Sequence, residues 1–260
     1  MRLHVHEWGD PASPAIVCLH GVQGHGRRFR RLAEERLVPA GFRVVAPDLR
    51  GHGRSGWAPP WNLAIHVTDV LETLRSLGLT RESWIGYSFG GRLLLEVLAQ
   101  EPGIVERAIL LDPAVETDRD TAIREAEAER RELVFDSVEE AELARRRDAP
   151  TAAAEALEEE MREHLVRGAD GRFRYRYLQS AVVAAFGEIA SPPPPPGADV
   201  AALLVAAERS WLVRDSDIEW LRNVLGPTLE LVRVPGGHIV LWEAYEETAD
   251  AVLRFLSRPQ

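Results

Sequence analysis

The sequence predicts an α/β fold with a mostly parallel central sheet flanked by helices, and three observations carry that reading. Short apolar runs alternate with longer amphipathic ones through the first third of the chain, the pattern of strands and helices wound around a parallel sheet. The run "AIVCLH" is apolar almost throughout, as a strand covered on both faces must be. At 260 residues the chain is long enough for one large core with an insertion.

Taken in order, "LHVHEW" and "AIVCLH" read as strands, and "RRFRRLAEERLV" sets Phe29, Leu32, Ala33 and Leu37 at helical spacing. "FRVVAPD" is the next strand. A helix from about Leu63 to Leu77 aligns Val67, Val70, Leu71, Leu74 and Leu77 on one face, with "LGL" as its stop. "SWIG" is a strand, "GGRLLLEVLAQ" a mostly apolar helix and "RAILLD" another strand. Nearer the C-terminus "ALLVAA" and "LELVRV" read as strands on either side of a helix from near Asp217 to Leu225. A last helix places Trp242, Tyr245, Ala249, Val252 and Leu256 on one face.

Between these parts the composition shifts. From about Val115 to Ala190 the chain is rich in Glu, Arg and Ala, with Glu127 and Arg131, Glu142 and Arg146, and Glu158 and Arg162 spaced for helix-surface pairing. No strand is apparent there. The expected organisation is therefore a core of residues 1–114 and 192–260, interrupted by a helical cap at 115–191. The stretch "FRYRYLQSAVVAAF" is aromatic and apolar enough to face another surface. "SPPPPPG" makes a stiff return to the core, since consecutive prolines exclude helix and sheet interiors.

The charge balance narrows the ligands. A net charge of -10 argues against a nucleic-acid partner, which needs a basic surface, and favours small neutral or apolar ligands. Every basic side chain other than histidine is arginine, so Schiff-base chemistry and lysine general bases are excluded. The one cysteine, Cys18, cannot form an internal disulfide and is expected as a buried thiol. The N-terminus lacks a signal-peptide core, and no apolar run approaches the roughly 18 to 20 residues of a membrane span. A cytoplasmic protein with no membrane partner is expected.

The chemistry gathers around "WIGYSFGG", residues 84–91. Ser88 stands between Gly86 and Gly90, and a strand, a G-x-S-x-G turn and a helix together form a nucleophile elbow. A serine hydroxyl needs a base, which near neutrality is histidine. His238, in the glycine loop of "VPGGHIVLWE", can project over the strand ends. Acyl transfer also needs two donors for the developing oxyanion. The loop "LHGVQGHG", residues 19–26, and the turn after the serine supply candidates in the amides of Val22 and Phe89.

These motifs, with "APDLRGHGRSGW" and "LLDPA", occur in an order that resembles the α/β-hydrolase fold superfamily across nearly the whole chain. The closest resemblance is to its cap-bearing, cofactor-free serine esterases. The resemblance implies the α/β-hydrolase fold, no cofactor or metal, and a serine hydrolase cleaving small, apolar carboxylic esters or thioesters through an acyl-enzyme. Within "DLRGHGRS" it implies that Asp48, Arg50 and His52 fix backbone. In one place the sequence departs from the pattern: the triad acid usually follows the strand that here reads "LLVAAERS", where Ser210 stands instead. Asp112, at the end of the strand after the elbow helix, is the expected acid, because some esterases of this fold resemble it in taking their acid there. Glu208 is the alternative, and Asp215 or no carboxylate at all remains open. Trp57, Trp61, Tyr177 and Phe186, with Phe89 and Tyr175, are expected to line an apolar substrate pocket or to pack cap against core.

The same machinery would serve a C–C bond hydrolase or a perhydrolase, and a serine at the elbow argues against dehalogenase or epoxide hydrolase chemistry, which resembling proteins run from an aspartate. From another class, a non-catalytic small-molecule receptor is a further reading, resting on the serine at position 210.

Overall fold

The computed structural model describes residues 1–258. The strands are β1 (Val5–Trp8), β2 (Ala15–Leu19), β3 (Arg43–Pro47), β4 (Glu82–Tyr87), β5 (Val105–Leu111), β6 (Val134–Phe135), β7 (Leu165–Arg167), β8 (Phe173–Tyr175), β9 (Ala201–Ala207) and β10 (Leu229–Val234). Seven of them form one sheet in the order β1-β3-β2-β4-β5-β9-β10. All its pairings are parallel except that of β1 with β3.

Strand β2 shows why an uninterrupted apolar run was required. Its side chains alternate between two buried clusters, Val17 and Leu19 on one face of the sheet and Ile16 and Cys18 on the other, as the two-residue period of a strand dictates. The first cluster is completed by the helices Leu63–Ser76, Phe89–Gln100 and Asp215–Leu225. The second takes Val252 and Phe255 from the helix Tyr245–Leu256. Each fully buried Ile or Leu contributes about 1.5–3 kcal/mol over an exposed one, so a polar residue anywhere in β2 would be costly. Cys18 lies fully buried among them, and burial pushes its thiol well above the ordinary range.

Two expected helices are broken. Residues 26–37 wind as a 3₁₀ turn, one α turn and a widened π turn, and Phe29, Leu32, Ala33 and Leu37 are all buried as the spacing required. The last helix is split at Ala244, whose non-helical φ of -139° and ψ of 47° separate Val240–Glu243 from Tyr245–Leu256.

The 115–191 excursion is not all helix. Besides the helices Arg119–Glu129, Val138–Asp148, Ala154–His164 and Gln179–Glu188, it carries an antiparallel sheet in the order β6-β8-β7. These strands are two or three residues long, too short for any periodicity to show. The excursion is sewn to the core where Tyr177 bridges His52, Gly53 donates to the Arg176 carbonyl (2.8 Å) and Leu178 donates to that of Gly51 (2.8 Å). Its return through the prolines is held by Arg92, which donates to the carbonyls of Ser191 (2.6 Å) and Pro192 (3.4 Å). Among the described residues no helix is long and apolar enough to cross a membrane.

Candidate active site

Strand β4 runs directly into the helix Phe89–Gln100, and Ser88 sits at the joint with φ 55° and ψ -117°. A residue with a side chain is strained in that region and persists there only when its surroundings hold it. Ser88 is held through its backbone: its amide donates to the Leu111 carbonyl (3.0 Å), and its carbonyl accepts from Gly91 (2.9 Å), Arg92 (3.2 Å) and Ala114 (3.0 Å). The flanking glycines are needed because the turn crosses other backbone at close range. A Cβ on Gly86 would meet the Gly90 carbonyl oxygen at 2.5 Å, and one on Gly90 would sit on the Leu19 carbonyl of β2.

The same bonds bring the end of β5 against the elbow. Asp112 follows β5 with φ 40°, its amide donating to Val205 at 2.7 Å, and its side chain is fully buried. Oδ1 accepts from the Ala207 amide (3.0 Å), while Oδ2 accepts from the Ser210 hydroxyl (2.6 Å) and faces His238 Nδ1 (2.7 Å). The other ring nitrogen, Nε2, lies 2.9 Å from Ser88 Oγ. With a carboxylate at Nδ1, a neutral ring keeps its proton there and presents Nε2 as acceptor to the serine hydroxyl. Tyr87 stacks on the imidazole, with centroids 5.1 Å apart. The His238 loop is tied down on both sides, by Arg209 donating to the Gly236 carbonyl (3.0 Å) and by Gly237 donating to Glu243.

Glu208, the alternative acid, is exposed and has no bond to His238. Asp215 is also exposed and pairs with Arg233. Ser210, at the place where the resemblance would have an acid, donates to the Asp112 carboxylate that faces the histidine.

The loop carrying Val22 is fixed by histidines rather than by sheet pairing. His20 donates from Nδ1 to the Gly21 carbonyl (2.8 Å) and accepts at Nε2 from the Leu49 amide (2.9 Å). The His52 ring lies between the carbonyls of Val22 (2.5 Å) and Arg50 (3.0 Å). Burial holds both rings below the usual histidine range, with His52 also opposing the charged form of His20 and Arg28 that of His52. Asp48 gathers the amides of Gly26 (2.7 Å) and Arg54 (2.8 Å) and the ring of His6 (3.1 Å). Burial opposes its charge, and these bonds outweigh burial, so its carboxyl sits well below the usual range. Arg50 pairs with Asp69 (2.6 Å) and donates to the Ala58 carbonyl (3.0 Å). Phe89 opens the elbow helix, where an amide has no intrahelical acceptor.

Ser88 and His238 open onto a cleft of about 170 Å³ lined by Gly21, Val22, Gln23, Tyr87 and Ile239, with Arg28, Arg145 and Asp148. Its walls correct the expected pocket, because Trp57, Trp61, Tyr177 and Phe186 do not line it. Trp57 is 37% exposed on the surface. The Trp61 ring lies beside Gly51. Tyr177 is buried among Tyr175, His164 and His52, and Phe186 packs into two apolar clusters. Tyr177 and Phe186 thus join excursion to core, which leaves the polar side chains facing the serine. Arg145 and Asp148 carried no distinguishing signal in the sequence, since "ARRRD" reads as one solvated turn. Gln23 and Tyr87 could have been found, for both lie within the motifs that identify the elbow and its facing loop.

A family profile described as alpha/beta hydrolase fold matches residues 14–245. The chain is 36% identical to Lipase LipV of Mycobacterium tuberculosis over 258 residues, 97% of this chain and 96% of that protein. Among solved structures it resembles an E-2-(acetamidomethylene)succinate hydrolase, with a TM-score of 0.82 at 22% identity over 98% of this chain and 95% of that one. It likewise resembles the thioesterase domain from the curacin biosynthetic pathway, with a TM-score of 0.80 at 20% identity over 96% and 94%. At those identities the two structures speak to the fold alone.

Proposed function

We propose that this chain, which belongs to the alpha/beta hydrolase fold family, is a serine hydrolase that cleaves small carboxylic esters or thioesters through an acyl-enzyme. The observation that carries the reading is the continuous line from Ser88 Oγ to His238 Nε2 (2.9 Å) and from His238 Nδ1 to Asp112 Oδ2 (2.7 Å). Ser88 attacks the ester carbonyl as His238 takes its proton at Nε2. The imidazolium is held by Asp112, and the amides of Val22 and Phe89 stabilise the oxyanion. Collapse of the tetrahedral species expels the alcohol or thiol, which takes the proton from His238. A water activated by the same ring then attacks the acyl-enzyme, releases the acid and restores Ser88.

The strain at Ser88 fits this role, for it keeps Oγ out of the helix and aimed at the ring. A cleft of about 170 Å³ suits a short acyl group. The receptor reading depended on a missing acid, and Asp112 against His238 removes that support. The test is fluorophosphonate labelling together with hydrolysis of p-nitrophenyl acetate. The wild type is expected to do both. Ser88→Ala is expected to lose labelling and about 10⁴-fold or more in kcat. A Ser88→Ala protein with undiminished turnover would overturn the assignment.

A further inference from the structure

The two excursion residues on the wall of the Ser88 cleft are Arg145 and Asp148, and Arg145 is unusual among the arginines of this chain. Its side chain is 4% exposed. Nη1 donates to Gln23 Oε1 (3.2 Å) and to Asp148 Oδ2 (3.3 Å), while Nε and Nη2 are buried with no hydrogen-bond partner. Beneath it the guanidinium lies 4.5 Å from the centre of the Tyr175 ring.

The acid that does most to neutralise Arg145 reaches it only at ion-pair range and is shared with other groups. Glu160 lies 3.9 Å from Arg145 Nε, beyond hydrogen-bond range, and it accepts two bonds from Arg28 and one from His25 (3.0 Å). Glu129 binds Gln23, and burial raises its carboxyl above the ordinary range. That leaves Asp148, whose side chain is 58% exposed and whose contact is long. A buried donor with no acceptor is costly. A planar guanidinium with unpartnered N–H groups at the wall of a cleft matches the paired oxygens of a carboxylate.

We propose that Arg145 recognises a carboxylate carried by the substrate, so that the preferred esters are half-esters of short dicarboxylic acids. The inference rests on the serine hydrolase reading and names the substrate class of that same site. The carboxylate replaces Asp148 on the guanidinium, while the ester carbonyl lies at Ser88. A cleft of about 170 Å³ favours a short acyl chain, and succinyl is the one tested. The net charge of -10 opposes an anion at a distance but is screened beyond about 8–10 Å, so the preference is a property of the local contact.

The experiment compares monoethyl succinate with ethyl succinamate, a neutral ester of nearly the same shape, by pH-stat. The ratio of their kcat/KM values is expected to favour the anion by about tenfold or more, as a charged hydrogen-bonded pair allows. Arg145→Gln should bring that ratio near one. Asp148→Asn, at an exposed side chain, should raise the ratio by removing the competing carboxylate. A wild-type ratio of one or below, a ratio preserved in Arg145→Gln, or a ratio that Asp148→Asn leaves unmoved overturns the inference. Calorimetry on Ser88→Ala reads binding without turnover, and monoethyl succinate should bind about tenfold tighter than the amide. Absence of turnover on both esters with that binding preference intact sinks the hydrolase reading and keeps the carboxylate site. Turnover on both with no preference, or equal binding, sinks the carboxylate site alone.

Discussion

The hydrogen-bonded line behind Ser88 and the interior of the 115–191 excursion treat buried polar groups in opposite ways. At the strand ends, Ser88, His238, Asp112 and Ser210 form one chain of hydrogen bonds, and Asp112 has partners on both oxygens. In the excursion, Arg145, His164, Arg176 and Tyr177 each keep at least one buried polar atom without a hydrogen-bond partner. A satisfied network fixes one geometry, whereas unpartnered donors leave recognition still to be made. The contrast teaches where to look for reactivity and where for selectivity. On the proposed reading the line from Ser88 carries the chemistry, and of these four excursion residues it is Arg145 that lines the cleft.

The sharpest way to break that contrast is at the acid. Asp112→Asn removes the carboxylate behind His238 and should lower kcat by about 10⁴-fold, because the ring loses both its tautomer control and its counter-charge. Glu208→Gln, on an exposed side chain, should stay within about twofold of the wild type, as surface changes remote from the chemistry do. Steady-state kinetics on one neutral ester decides it. If the second variant is the inactive one, the buried network is not the catalytic one.

Next in size is a stability effect within the excursion itself. Glu160 is buried between Arg28 and His25. Burial raises its carboxyl, but Arg28, His164 and His25 outweigh burial and hold it well below the ordinary range. Glu160→Gln would strand the Arg28 guanidinium, whose side chain is 6% exposed, and should cost about 3–5 kcal/mol. A lowered urea midpoint at unchanged slope would show this. An unchanged midpoint would mean that the excursion does not depend on its buried charges.

What could be read from the sequence follows the same division. The sheet was legible because its inner strands β2 and β9 are continuous apolar runs, and the elbow was legible because its glycines are forced by backbone crossings at Gly86 and Gly90. Ser88 and His238 each sit in a local motif. Asp112 was reachable only through topology, since it meets His238 across 126 positions of sequence. The sheet β6-β8-β7 was hidden because Arg167 and Arg174 interrupt strands of three residues. Arg145 was hidden because three consecutive arginines have the same letters but different burial: Arg145 is buried, while its neighbour Arg146 has a side chain 39% exposed.

Ser210 sharpens the comparison from the strand-end side. Its hydroxyl donates to Asp112 Oδ2 at 2.6 Å, on the same oxygen that faces His238. Ser210→Ala leaves that oxygen with one donor fewer while the Ala207 amide still holds Oδ1. A hydrogen bond to a charged group at a half-buried site falls near the low end of its range, so kcat should drop by about tenfold with little change in KM. A change confined to KM would place Ser210 in binding and not behind the histidine.

The smallest effect belongs to the exposed face of the excursion. Glu127 and Arg130 pair at 2.9 Å with side chains 61% and 66% exposed, in water where ordering two long side chains offsets most of the attraction. Glu127→Gln should therefore shift the urea midpoint by less than about 0.5 kcal/mol in stability and leave ester selectivity unchanged. The pair is a solvated contact of the kind the Glu- and Arg-rich composition advertised, whereas Glu160 and Arg145 share that composition and are buried. A stability loss at Glu127 comparable to that at Glu160 would show that burial does not separate the two kinds of charge here. The distinction on which the substrate inference depends would then fall with it.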